Sequence, residues 1–586
     1  MRSPPGSSPW YTESTMIPGD IGDAARLLRA GELTSTGLTA AVLARADDLD
    51  GVLGVYLDRY DAAAMDAAAR ADRELAAGVD RGPLHGIPVA IKDILTTADG
   101  PTTAQSLVLD RRWGGRRDAP AVARLRAAGA VITGKATTAE FATGTPDPTK
   151  PFPLPRNPWD PTSWTGGSSS GTAAGVAAGL FLGGLGTDTG GSIRVPSAYC
   201  GVTGLKPTFG RVPKTGCVPL AFSQDHVGPI ARTARDCGLL LQAIAGHHRS
   251  DPNCADVPVP DMTAWPAGAG GAAGADRDAP LAGLRVGVVR DHHFPDGTDP
   301  AVPPAFADAL SVLGRLGADL VDVALPRYPE MVAVCLVTIM VEALAYHRRT
   351  VTSRWADYST ATRLMLAHGA MVSAPDYVQA QRVRRLAQLE LAAVFGDVDV
   401  AVMPTASVGA PDYDTLGHLD SLGLVHTMYW NATGNPVLVV PMGFTDRGRP
   451  LSLQLAAAPF AEPLLVAVGD AFQQATDWHR REPPMVARLA AGVPAGGGPP
   501  EAHLPLSLPM APTAPRPPDP PPSDQAVADV STVLSRAGLE VTGDDLVHLA
   551  GHDPWLAELV ERLHRVDVGE EPPAVSFDPV ARSGGW

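Results

Sequence analysis

Lysine is almost missing from this chain. Of its 47 basic residues only five are lysines (Lys92, Lys135, Lys150, Lys206 and Lys214), and all fall in the first 214 of 586 residues. A formal net charge of −16 argues against nucleic acid as a main partner, because phosphate binding needs a basic surface. Cysteine is scarce too. The five (Cys200, Cys217, Cys237, Cys254 and Cys335) are odd in number and none form a CxxC pair, which reads as reduced, buried thiols of a cytoplasmic protein. No HExxH and no clustered Cys/His ligand set is present, so no metal or other cofactor is expected. Long apolar runs are lacking as well. "MVAVCLVTIMV" from Met331 meets Glu342 well short of the roughly 20 residues a membrane helix needs, and "MRSPPGSSPW" at the N-terminus has no apolar signal core.

What the chain does have is the composition of a large globular protein, 45% hydrophobic with mean hydropathy near zero. From about residue 20 to 485, helical periods alternate with short apolar runs, which predicts an α/β fold. In "DAPAVARLRAAGAVITGK" a helical period through Leu125 gives way to a β-like run at Ala130–Thr133. "LRVGVVRD" and "DVDVAVMPT" read as further buried strands. A Gly/Ala-rich patch at Ala267–Ala275 reads as a surface loop. After about residue 485 proline and glycine dominate and periodicity vanishes, as in a semi-rigid linker. Two amphipathic stretches follow, the second opening near Thr542 or Asp544, and then an extended tail. The organisation expected is a disordered N-terminus (1–14), a main domain (15–488), a linker (489–524) and a small helical segment with its tail (525–586). So small a segment should dock on the body through Leu546, Leu549, Leu556 and Leu559.

Two motifs mislead. "GAVITGKA" (Gly129–Ala136) has the spacing of a phosphate-binding loop, but its β-like residues lie inside the would-be loop and Ala136 replaces the needed hydroxyl. "GSSSG" (Gly167–Gly171) fits a nucleophile elbow, yet a Pro/Trp loop precedes it where a strand is required. A serine-capped core helix is the simpler reading of "TGGSSSGTAAGVAAG" taken alone. Its company argues for more. Lys92 ends the apolar run Ile87–Ile91, 76 residues before Ser168, and Ser192 in "GTDTGGSIR" lies 24 residues after it.

Together "GPLHGIPVAIKDI", "TGGSSSGTAAGVAAG", "GTDTGGSIRVPSAYCGVTGLKPTFGRVP", "DHVGPIARTARD", "VMPTA", "NATGNPVLVVPMGF" and "ATDWHRREPP" closely resemble the amidase signature family over roughly residues 15–485. That resemblance implies a large mixed β-sheet covered by helices on both faces and hydrolysis of a carboxylic amide. It implies a Ser–cis-Ser–Lys triad: Ser192 as nucleophile, Lys92 as a base made neutral by burial, and Ser168 as proton relay. Gly190 and Gly191 let backbone N–H groups turn inward, and Thr189, Gly190, Gly191 and Ser192 would supply the oxyanion hole. Asp188 and Arg194 are expected to brace this loop. Ser169 and Ser170 are expected to support it, and Lys135 and Lys206 to be structural.

The family spans fatty, aryl and peptide amides, ureides and the glutaminase subunit of tRNA amidotransferases. Arg384 in "DYVQAQRVRR" stands where those glutaminases place a carboxylate-binding arginine. Leu424 stands near where they hold the substrate's amino group. A carboxylated or neutral amide is therefore favoured over a free amino acid amide. An amidotransferase component, a carboxylated ureide (biuret-type) hydrolase and a scaffold without turnover are the rivals; the intact triad speaks against the last. The C-terminal stretch resembles, more weakly, a GatC-like partner fused in cis. A homodimer remains open.

Overall fold

The computed structural model describes residues 17–264, 279–416, 422–490, 518 and 520–574. The N-terminal stretch, the Ala267–Ala275 patch, most of the linker and the end of the tail lie outside the described residues. Eleven strands form a single sheet: β1 (Tyr56–Arg59), β2 (Pro88–Lys92), β3 (Val131–Ala136), β4 (Gly183–Asp188), β5 (Thr203–Lys206), β6 (His226–Ala231), β7 (Arg285–Val289), β8 (Asp319–Val323), β9 (Val400–Pro404), β10 (Val437–Phe444) and β11 (Pro450–Ala457). Their spatial order is β1-β3-β2-β4-β6-β5-β10-β11-β9-β7-β8. The pairs β2–β3, β2–β4, β7–β8 and β7–β9 are parallel and the rest antiparallel, a mixed sheet as the resemblance implied. The false phosphate loop is strand β3.

Both faces of the sheet are covered, so its strands read as continuous apolar runs. Alternation still sorts their side chains. Val89 and Ile91 of β2, with Val400 and Val402 of β9, join one core. Ala90 faces the other way, into a layer formed with the helix Ser170–Ala178. Lys92 shares the parity of Ala90, so β2 delivers its ammonium beneath the start of that helix. Glycine makes the close approach possible: a β-carbon at Gly186 would come within 2.8 Å of Ser169 Oγ, and one at Gly184 within 2.8 Å of Thr172 Cγ2.

The apolar run at Met331 belongs to a longer helix than its sequence suggested. Tyr328–Val351 spans 24 residues, passes straight through Glu342, and is long and apolar enough by length and composition to cross a membrane. Here it is a core helix. Met331, Val334, Val337 and Met340 pack against the helices Ala374–Asp397 and Met428–Thr433, and Glu342 accepts hydrogen bonds from Ser223 and Tyr377.

The C-terminal helices, Asp524–Arg536 and Gly543–His564, lie on this part of the body, with Ser523 and Thr542 at their N-caps. Leu534, Leu549, Leu556, Leu559 and Leu563 are buried and Leu546 partly so. Arg363 pairs with Asp545 at 2.8 Å. Beyond the second helix, Arg382 donates to the carbonyls of Gly569 and Glu571, and Ala574 N–H to the carbonyl of Gln381. Burying a carboxylate at Leu549, which is fully enclosed, would cost several kcal/mol. Leu549→Asp is expected to release both helices. Limited proteolysis should then cut the 520–574 region at least tenfold faster than in the wild type, while the sheet domain stays folded.

Candidate active site

Three of the five lysines are among the largest fully buried side chains, and they serve two different purposes. Lys135 pairs with Asp93 at 2.9 Å and donates to the carbonyl of Leu95. Lys206 donates to the carbonyls of Pro207 and Asn435. Both are structural ties. Among the described residues Lys92 has no carboxylate within ion-pair distance. Its Nζ is hydrogen-bonded to Ser168 Oγ at 2.7 Å and donates to Thr187 Oγ1 at 2.8 Å. Burial pushes its pKa down to about 7 from the usual 10.5. A neutral amine has two N–H groups and one lone pair. With one N–H spent on Thr187, the lone pair can accept the Ser168 proton.

Ser168 follows a cis peptide bond from Gly167, the expected arrangement. Its carbonyl accepts the N–H of Ala139 at 3.2 Å. The next residue reaches the nucleophile's backbone, Ser169 N–H donating to the Ser192 carbonyl at 3.1 Å. The capping reading of this stretch is not what forms: Ser169 makes no side-chain cap, and its hydroxyl instead lies 3.2 Å from both the N–H and the carbonyl of Thr187. The serine stretch thus clamps β4 below and Ser192 above. Ser168 is buried, whereas Gly167, Gly190 and Ser192 are half-exposed, which marks the open side of the site.

The loop Thr189–Ser192 is turned inside out by its anchors. The Thr189 carbonyl faces Cys335 Sγ at 3.8 Å, the Gly190 carbonyl accepts from Thr427 Oγ1 at 2.6 Å, and the Gly191 carbonyl accepts from Val195 N–H at 2.7 Å. In a trans peptide the next N–H points opposite its carbonyl, so anchoring three carbonyls aims the N–H groups of Gly190, Gly191 and Ser192 away from those anchors. Among the described residues none of the N–H groups of Thr189 to Ser192 has a protein acceptor. That is a nest ready for an anion. Gly191 has φ +134°, and a side chain there would collide with the Thr427 hydroxyl.

Asp188 and Arg194 hold the base of this loop. Their carboxylate and guanidinium pair at 2.9 Å with no exposure. Asp188 Oδ2 also accepts the N–H groups of Ile193 and Arg194. Burial alone would raise the Asp188 carboxyl, but the Arg194 guanidinium outweighs it, with help from Lys206 and Asn431, and holds it below the usual carboxylate range. Arg194 goes on to the Thr427 carbonyl (2.8 Å), Gln454 Oε1 (2.9 Å) and Asn431 Oδ1 (2.6 Å).

Arg384 stands elsewhere. It is buried on the helix Ala374–Asp397, and its guanidinium donates to the carbonyls of Ala432 and Ser223, to Ser223 Oγ and to Gln381 Oε1. Four of its five donors are thus spent inside the protein. It ties the loop before β6 to two helices. Thr187, Thr427, Asn431 and Asp225 are site residues that sequence reasoning did not single out, although three of them lie inside the motifs quoted above.

Residues 37–466 match the family model described as Amidase. AmiD of Mycobacterium tuberculosis, a protein carrying an amidase name, is 40% identical over 484 residues, covering 81% of this chain and 98% of that protein. A glutamyl-tRNA(Gln) amidotransferase subunit from Roseiflexus castenholzii is 39% identical over 493 residues, covering 79% of this chain and 97% of that protein. Among solved structures, the peptide amidase of Stenotrophomonas maltophilia superposes with a TM-score of 0.67 at 33% identity, covering 79% of this chain and 98% of that one.

Proposed function

Since the chain belongs to the amidase family and is an enzyme that hydrolyses amide C–N bonds, we propose that it does so through an acyl-enzyme on Ser192, with Ser168 and Lys92 moving the protons. The observation that carries this is a buried lysine with no ion-pair partner among the described residues, hydrogen-bonded at 2.7 Å to Ser168, whose neighbour Ser169 holds the carbonyl of the half-open Ser192. Ser192 Oγ attacks the carbonyl carbon while its proton passes to Ser168 and the Ser168 proton to Lys92 Nζ. The carbonyl oxygen becomes an oxyanion held by the N–H groups of Thr189 to Ser192. As the C–N bond breaks, the leaving nitrogen takes the proton back along the same path. Water then attacks the ester, and the acid departs.

With four of its five donors spent on neutral groups of the protein, Arg384 has little hydrogen-bonding capacity left for a substrate carboxylate, which favours a neutral acyl group over the carboxylated ureide. We read the C-terminal helices as a tethered GatC-like partner domain, a reading supported by their docking on the body beyond residue 466, where the family match ends. A second reading, ammonia delivery to a partner, is favoured by the 39% identity to an amidotransferase component. Ammonia measurement separates the two. The purified chain alone, given a panel of primary alkyl, aryl and peptide amides and ureides, should release ammonia from at least one neutral amide. Release only after a second protein is added would overturn the hydrolase reading in favour of the second.

A further inference from the structure

The oxyanion nest has one anchor that is neither a carbonyl tie nor part of the Asp188–Arg194 pair. Thr189 Oγ1 donates to Asp225 Oδ1 at 2.6 Å. Asp225 is buried at 6% exposure, and no cation pairs with it among the described residues. Its two oxygens also accept the N–H groups of Leu220 and Ala221, each at 3.0 Å. A buried carboxylate with no ion-pair contact is costly unless donors satisfy it; here the three donors come from backbone or hydroxyl, with Lys214 adding a longer-range attraction.

The segment Leu220–Asp225 is in turn immobilised from every side. Lys214 donates to the Phe222 carbonyl at 2.8 Å. Ser223 donates through N–H and hydroxyl to Glu342 (2.9 and 2.7 Å), and Arg384 donates to its carbonyl at 2.8 Å. Gln224 reaches the Cys335 carbonyl at 3.3 Å. Without its Asp225 link, Thr189 would be held only through its backbone, by the Asp188 carbonyl 3.1 Å from His226 Nδ1 and the weak Cys335 contact, while Gly190 and Gly191 keep their own ties.

We propose that Asp225 is a positioning residue for amide hydrolysis: through the Thr189 hydroxyl it fixes the leading edge of the oxyanion nest, and Glu342 and Arg384 hold Asp225's own loop in place. The inference rests on the Ser192 reading above. It explains why a threonine precedes the two glycines, and why Arg384 spends its donors on Ser223.

Removing the hydroxyl while keeping the shape isolates the link. The assay uses the primary amide that the wild type cleaves fastest, and the aldehyde of the same acyl group, which forms a tetrahedral adduct on Ser192. Thr189→Val is expected to lower kcat about 10- to 100-fold with KM within about twofold. Aldehyde affinity should fall by the same factor as kcat, the melting temperature should hold, and Thr189→Ser should restore activity. Asp225→Asn should lower kcat as well, and adding Thr189→Val to it should cost little more. Wild-type kcat in Thr189→Val, with Ser192→Ala inactive, would overturn the inference alone. A rise in KM with a fall in melting temperature, unrescued by Thr189→Ser, would reduce the bond to a structural one. An active Ser192→Ala would overturn the reading beneath it.

Discussion

Ser192→Ala is expected to lower kcat by at least about 10⁴-fold while leaving the fold intact. The size follows from what the nest can do unaided. Its N–H groups would still polarise a bound carbonyl, and such residual catalysis is all that remains when a nucleophile is lost from an acyl-transfer site. The fold should survive because Ser192 is half-exposed and its carbonyl, which the mutation spares, makes the bond to Ser169. Substitutions of this kind usually change stability by no more than about 0.5 kcal/mol. Ammonia release and a thermal melt read the two halves together. A sulfonyl fluoride that labels one serine of the wild type, by mass spectrometry, should leave Ser192→Ala unmodified. Turnover near the wild-type rate in that variant would remove Ser192 from the mechanism.

Much of this site could be read from the residues. The run Ile87–Ile91 announced a buried strand and β2 forms there; Ala130–Thr133, "LRVGVVRD" and "DVDVAVMPT" likewise became β3, β7 and β9. Strands buried on both faces advertise themselves by continuous apolar sequence, and the near-absence of lysine made Lys92 conspicuous. Partners brought together across the fold were not legible. Thr187 lies 95 residues from Lys92, and nothing in its local sequence says that its hydroxyl will accept a hydrogen bond from the amine. Asp225 sits in a quoted motif, but its bond to Thr189 exists only because β4 and β6 pair with Asp188 opposite His226. Arg384 makes the same point from the other direction. Its type suggested a carboxylate, whereas the fold filled its fork with carbonyls from Ala432 and Ser223, 48 and 161 residues away. The length of the Tyr328–Val351 helix was hidden because Glu342 broke the apolar run without breaking the helix. Its carboxylate is satisfied by Ser223 and Tyr377, a compensation that only tertiary structure supplies.

Lys92 should set the pH dependence of the enzyme and, at the same time, cost it stability. Only the neutral amine can accept the Ser168 proton, and burial brings its pKa to about 7. kcat/KM should therefore rise with pH through a midpoint near 7 and level off above about 8. Lys92→Ala is expected to lose at least about 10³-fold at pH 7, to lack that midpoint, and to recover in part at high pH as hydroxide replaces the base. A variant with the wild-type rate at pH 7 would rule Lys92 out as the base. The stability effect has a definite sign. The folded-state pKa lies below the unfolded value of 10.5, so between the two the unfolded chain holds one more proton, and stability rises with pH across that window. The burden is full below the folded pKa and gone above the unfolded one; at pH 7 it is on the order of a few kcal/mol. Lys92→Met keeps the side chain's length, removes the titration and leaves Thr187 and Ser168 to bond elsewhere. It should be inactive yet melt higher than the wild type at pH 6, with the gap narrowing by pH 9. A lower melting temperature for Lys92→Met at both pH values would mean that the amine's hydrogen bonds to Ser168 and Thr187 outweigh its desolvation, and the lysine would then stabilise the site it serves.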